Sequence, residues 1–234
     1  LFANPYNQEK VLNELKNKLE SEIKFINLTN ILKEKKNEYI YFKTDHHWTM
    51  LGAYYGYLEY CNVNNIKALS LEEFKTIEKS KDFYGTYHSK ANGTRIKPDL
   101  LEILEPIENK YNYKIEYKYE NKEVYNFYDE DYLNKKDKYS YFFGGNHSLM
   151  TIKTTNKNGK KLLVIKDSYA NSMLPFLANN FEEIHVIDLR YYKYSVYDYI
   201  EKNNINQALI LYNISNFQQD TGLACLKYYY TPKK

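Results

Sequence analysis

Asp45, His46 and His47 stand side by side in a chain with only five histidines among its 234 residues. In an extended segment, side chains two positions apart face the same way, so Asp45 and His47 could meet as a carboxylate and the imidazole it orients. A histidine held like that can take the proton of a nucleophilic hydroxyl. His46, on the opposite face, is expected to be a structural hydrogen-bonder. The candidate nucleophile is Ser168, which comes after the apolar run 162–165 and the pair Lys166-Asp167. A helix starting there would aim unpaired backbone N–H groups and the positive end of its dipole at a developing oxyanion. Asp and Ser are also favoured helix caps, and from position alone that ordinary role is the commoner explanation.

The same residue types allow a second chemistry. Asp45, His46, His47, Asp167 and Asp188 could surround a divalent ion that generates hydroxide for phosphoester cleavage. Nothing in that scheme explains the placement of Ser168.

Either chemistry needs a scaffold that brings distant segments together. Val11, Leu12, Leu15, Leu19 and Ile23 recur at helical spacing and predict an amphipathic helix over 7–23, with a second, shorter helix at 27–35. The aromatic and β-branched run 39–43 reads as a strand ending at the Asp-His-His triplet, and 48–60 as a helix whose Gly52, Ala53 and Gly56 permit close packing. Further on, 161–166, 184–189 and 208–212 read as buried strands alternating with helices at 170–178 and 194–203. This alternation predicts an α/β fold with a parallel central sheet. In such sheets functional groups collect beyond the carboxyl ends of the strands, a rule that selects Asp45 to His47, Asp167 and Ser168, Asp188 and Arg190, and Asn213. The stretch 79–140, with strand-type runs at 111–119 and 124–128, reads as a strand and loop insertion within a single domain spanning 1–234.

Composition narrows the function classes. A chain of this length, 43% hydrophobic and 27% charged, can bury on the order of 70% of its unfolded surface without disulfide or metal staples. Its 33 basic against 30 acidic residues create no strong field, so nucleic acid is not an expected partner. Lys and Tyr interleave at 111–119 as they would on a single-strand platform, but that alternation is also what a two-faced surface strand requires. No apolar run approaches the roughly 18 residues of a membrane span. Cys61 and Cys225 lack metal-type spacing and read as free, buried thiols. The chain opens at Leu1 without a leader, as an excised or processed form would. Its 28 tyrosines against one tryptophan suit half-buried positions with a wet hydroxyl, a minority lining a polar groove fit for sugars.

Four segments in order carry a resemblance: Tyr-Phe-Lys-Thr-Asp-His-His-Trp-Thr (41–49), Phe-Phe-Gly-Gly-Asn-His (142–147), Leu-Leu-Val-Ile-Lys-Asp-Ser-Tyr-Ala-Asn-Ser (162–172) and Ile-Asp-Leu-Arg-Tyr-Tyr (187–192). Together they resemble the DHHW proteins, relatives of the alginate O-acetyltransferases with an SGNH-hydrolase-like core. The resemblance implies a flavodoxin-like α/β/α sandwich in which Asp45 orients His47, His47 is the general base and Ser168 the nucleophile of a Ser-His-Asp triad. It places Gly145 or Asn146 at the oxyanion hole, and Arg190 and Tyr191 in the pocket or on a sugar. It further implies an O-acetyltransferase or acetylesterase with no cofactor and no metal. The acceptor would be an exported polysaccharide, the acetyl donor a membrane-bound partner, and the location the cell surface or beyond, with an anchor on an N-terminal segment outside this sequence. A metal-dependent phosphoesterase and a non-catalytic saccharide-binding protein remain the alternatives.

Overall fold

The computed structural model describes residues 7–91 and 95–228. The helices are α1 (Gln8–Lys18), α2 (Thr29–Glu34), α3 (Met50–Val63), α4 (Thr86–Ala91), α5 (Leu174–Leu177), α6 (Val196–Asn203), α7 (Ile214–Gln219) and α8 (Cys225–Tyr228). The strands are β1 (Phe74–Phe83), β2 (Asp99–Pro106), β3 (Tyr113–Tyr117), β4 (Lys122–Val124), β5 (Leu149–Thr154), β6 (Lys161–Lys166), β7 (Glu183–Ile187) and β8 (Ala208–Leu211). β1 and β2 form an antiparallel pair of their own, and the other six build one sheet in the order β4-β3-β5-β7-β6-β8.

That sheet is mixed, which corrects the expected parallel one. β7, β6 and β8 are parallel, whereas β5 runs antiparallel to both β7 and β3, and β3 antiparallel to β4. The links explain the difference. Residues 118–121 and 155–160 are far shorter than the dozen or so residues a parallel crossover needs, so the chain must reverse at each. β5 was not legible as an element of its own, and it now joins the two halves. Because it is antiparallel, its first residue, Leu149, lies opposite Ile187 at the end of β7. The loop leading into β5 thus lies at the same edge as the loops leaving β6 and β7.

Both faces of the sheet are covered. Leu162, Val164, Ile184 and Val186 turn toward α3 and α5, burying Ala53, Tyr57, Phe176 and Leu177, while Leu163, Ile165 and Ile187 turn toward Val196, Tyr199 and Ile200 of α6. Burial on two sides is why β6 reads as an unbroken apolar run. Many tyrosines go deeper than half-buried. Tyr57 is fully enclosed and satisfies its hydroxyl on Asn180 Oδ1 at 2.8 Å, as a buried phenol must.

Further elements differ from expectation: α1 ends at Lys18 rather than at 23, and the strand expected at 124–128 lies at Lys122–Val124. Segment 39–43 is no strand but one arm of a tight reversal, with a single antiparallel bridge between Tyr41 and Trp48. The expected helix 170–178 is a 3₁₀ turn, Ser168–Ser172, and then the four-residue α5. Pro175 sits in the first turn of α5, where its missing N–H is tolerated, but it could not continue a helix begun at Ser168. Cys61 is buried and Cys225 only half-buried, both free. Among the described residues no helix is long and apolar enough to cross a membrane.

Phe176 packs against Tyr54, Tyr57 and Phe74 at ring separations of 5.3–5.5 Å and has no exposed surface. Phe176→Ala should lower unfolding free energy by about 3–5 kcal/mol in a urea titration. Tyr41→Ala, at an exposed ring, should stay within about 0.5 kcal/mol.

Candidate active site

The reversal holding Asp45 to His47 is closed by Phe42 N–H to His47 O (3.3 Å) and Thr49 N–H to Ile40 O (3.0 Å). Asp99 of β2 clamps its near side, accepting the N–H of Lys43 (2.9 Å) and the N–H and hydroxyl of Thr44 (2.7 and 2.6 Å). Trp48 ties its far side to the turn after β6, its indole N–H donating to Tyr169 O and Ser172 Oγ, both at 2.9 Å. Tyr139 donates to Ser168 O and shares a hydrogen bond with Ser172 Oγ, while its ring stacks flat on His47, 3.6 Å between centroids and 6° between planes.

These contacts bring the three sequence-selected residues into one row. His47 Nδ1 lies 2.5 Å from Asp45 Oδ1, and His47 Nε2 lies 2.7 Å from Ser168 Oγ. Asp45, His47 and Ser168 are 3%, 5% and 8% exposed. A carboxylate only accepts hydrogen bonds, so Nδ1 carries the imidazole proton and Nε2 offers its lone pair to the serine hydroxyl. Asp45 Oδ1 also accepts the His47 N–H (3.0 Å), and Oδ2 accepts the N–H and hydroxyl of Thr86 (2.8 and 3.1 Å). His46 takes the structural role expected of it, with Nδ1 2.7 Å from Thr86 Oγ1.

Burial and pairing set the charges. Burial works to raise the Asp45 pKa, but the nearby His46 ring and the hydrogen bonds from His47 and the Thr86 N–H outweigh it and hold the carboxyl well below the usual range. Burial lowers the His47 pKa from its ordinary 6.5 despite the opposing pull of Asp45. At neutral pH the row is therefore Asp⁻, neutral His and serine hydroxyl.

The other selected residues are placed differently. Asp167 turns away from the row to cap Tyr169 N–H (2.9 Å) and to accept Asn213 N–H (3.0 Å) and Asn216 Nδ2 (2.7 Å), binding the end of β8 to the Ser168 turn. Asp188 is held by Arg190 through Nε (2.8 Å) and Nη2 (2.5 Å). The five-residue metal set is therefore not assembled. Among the described residues, only Asp45, His46 and His47 have ligand atoms close enough to share an ion, and both ring nitrogens of His47 are already engaged. Gly145 is buried in a left-handed turn, and its N–H is committed to Phe142 O at 3.1 Å. Asn146 is exposed, with its Oδ1 accepting from Lys166 Nζ at 2.6 Å. Tyr191 is exposed, with the Arg190 guanidinium 5.4 Å from its ring centre. Burial pulls the Lys166 pKa down to about 8 against the attraction of Asp188.

Sequence reasoning missed Thr86, Tyr139, Asp99 and Gly85, which lie outside any periodic pattern near the motifs. Gly85 had one available signal, a lone glycine between polar residues. A Cβ there would fall 2.6 Å from Asp45 Cγ, so only glycine lets the backbone carrying Thr86 approach that carboxylate.

An α/β protein with a buried Asp–His–Ser row is the class that this fold and site define. Its sequence matches the model of the DHHW protein family over residues 2–187, and the chain belongs to that family. The fold is similar to a DHHW family protein from Eubacterium siraeum DSM 15702, with TM-score 0.84 and 30% identity over 97% of this chain and 76% of that one. It is also similar to Bacillus cereus PatB1, with TM-score 0.72 and 26% identity over 89% and 74% of the two chains. PatB1 carrying a sulfonyl adduct gives TM-score 0.71 and 25% identity over 89% and 73%. No curated protein matches the sequence.

Two outcomes check this geometry. In an NMR titration His47 should titrate below 6.5, and Asp45→Asn should lower its pKa further, since the carboxylate that favours the imidazolium is gone. A wild-type value at or above 6.5 would contradict the burial argument. Gly85→Ala should displace Asp45 and abolish the hydrogen-bonded Nδ1–H proton resonance of His47 while the protein stays folded by circular dichroism.

Proposed function

We propose that this protein is an SGNH-hydrolase-like O-acetyltransferase or acetylesterase that works through Ser168, His47 and Asp45. The observation that carries the reading is the continuous row from Asp45 Oδ1 through the His47 ring to Ser168 Oγ, with both hydrogen bonds at 2.7 Å or less. That row supports the following chemistry. His47 Nε2 takes the Ser168 proton as Oγ bonds to the acetyl carbonyl carbon, and Asp45 stabilises the imidazolium that forms. The tetrahedral intermediate collapses by breaking the bond to the donor oxygen, which leaves with the proton from Nε2. An acceptor hydroxyl then returns a proton to His47 as it attacks the acetyl-serine, and Ser168 is restored. Water in place of the acceptor makes the same site an esterase.

The oxyanion donors draw on only part of the expected helix start. Tyr169 N–H is taken by Asp167, and Gly145 N–H by Phe142 O. Asn146 has its carbonyl end turned to Lys166, so its side-chain N–H₂ and the Ser168 N–H are the donors we assign. Further support is the likeness to PatB1 with a sulfonyl adduct, since sulfonyl groups attach to activated nucleophiles. The resemblance to alginate O-acetyltransferases extends the proposal to an exported polysaccharide as acceptor, with Arg190 and Tyr191 at the sugar, a membrane-bound partner as acetyl donor, and a cell-surface location.

The test is hydrolysis of a small chromogenic acetyl ester. Ser168→Ala and His47→Ala should each lower kcat/KM by about 10³-fold or more, a chelator should change nothing, and the acid limb of the pH profile should fall below pH 6.5, where His47 gains its proton. Activity that survives Ser168→Ala and is lost to the chelator would overturn the triad in favour of a metal at Asp45, His46 and His47.

A further inference from the structure

Lys166 ends β6, two residues before Ser168, and its side chain is 1% exposed. Burying an ammonium is costly unless it is fully hydrogen-bonded, and no proton transfer described above uses it. Its partners are specific. Nζ donates to Asn146 Oδ1 at 2.6 Å and to Asn171 Oδ1 at 2.8 Å, and lies 3.6 Å from Asp188 Oδ2. Asn171 Nδ2 in turn donates to Asn146 Oδ1 (3.3 Å) and Gly145 O (3.4 Å). One ammonium thus joins the loop before β5, the turn after β6 and the loop after β7.

An ammonium has donors only, whereas a side-chain amide has a donor end and an acceptor end. Both amides must therefore turn their oxygens to Lys166. Asn146 Oδ1 receives two donors, so a flipped amide would set N–H₂ against N–H₃⁺ and against Asn171 Nδ2. We propose that Lys166 is a positioning residue, whose ammonium locks the Asn146 amide with its N–H₂ end free for the oxyanion at Ser168. The inference rests on the acyl-transfer reading above. A preorganised donor stabilises charge only if it need not reorient as the charge forms. An unlocked amide would turn its oxygen to the oxyanion part of the time and repel it.

Lys166→Met removes the ammonium, keeps the aliphatic stem and leaves Asp188 paired with Arg190, so no buried charge is orphaned. With the acetyl ester, Lys166→Met should lower kcat about 10- to 100-fold with KM changed by no more than about threefold. The same substitution in an Asn146→Ala background should cost less than about threefold more, because the group through which Lys166 acts is gone. Wild-type kcat in Lys166→Met, or losses that multiply in the double variant, would overturn the positioning role while leaving the acyl-transfer reading intact. Absence of turnover in the wild type would remove that reading and this inference with it. Should Lys166→Met fail to fold, the wild-type protein decides: in 15N relaxation the Asn146 side-chain amide, assigned with Asn146→Ala, should be as rigid as backbone, with an order parameter of about 0.8 or more, and a value below about 0.6 would overturn the proposal.

Discussion

The hydrogen bonds from the Trp48 indole to Tyr169 O and Ser172 Oγ join two segments separated by more than half the chain. The rest of the site depends on that closure. His47 precedes Trp48, and Ser168 precedes Tyr169, so one donor group sets the spacing between base and hydroxyl. The indole N–H is buried and must find acceptors, and the turn after β6 supplies them. Tyr139 closes the same junction from the other side, with its ring against His47 and its hydroxyl on Ser168 O. His47 is thereby held in plane by packing and in tautomer by Asp45.

Holding ionisable groups at this depth imposes a second requirement, that every polar atom be satisfied. Asp45 gathers donors from His47 and Thr86, Asp99 from Lys43, Thr44 and Tyr39, and Asp167 from Tyr169, Asn213 and Asn216. Each carboxylate is also a strut between two segments. Asp99 ties the first sheet to the reversal at 41–48, and Asp167 ties β8 to the Ser168 turn. The conformation of the loops is thus set by the donors that satisfy their buried carboxylates.

The mixed topology explains why these loops share one edge. At the carboxyl ends of parallel β6 and β7 stand the Ser168 turn and the pair Asp188 and Arg190. Antiparallel β5 brings its amino end to the same edge, and with it the 142–147 segment carrying Gly145 and Asn146. In an all-parallel sheet the start of β5 would lie at the opposite edge, and Lys166 could not reach Asn146.

The sequence by itself determined the local chemistry and the strongest elements. The two-residue spacing of Asp45 and His47, the two-sided apolar run of β6 and the helical register of α3 and α6 are short-range patterns, and each can be read without knowing the rest of the chain. The tertiary structure alone decided what the Asp167 and Asp188 carboxylates do and that Ser168 meets the Asp45 and His47 pair. Asp45, Asp167 and Asp188 look alike in sequence, yet Asp45 faces His47, Asp167 caps the Ser168 turn and Asp188 pairs with Arg190. It also supplied Thr86, Asp99 and Tyr139, and the space that Gly85 leaves for the Asp45 carboxylate. Partners that meet only through long-range packing carry no periodic signal. A hydrogen bond depends on distance and direction, which only the assembled sheet and its loops impose.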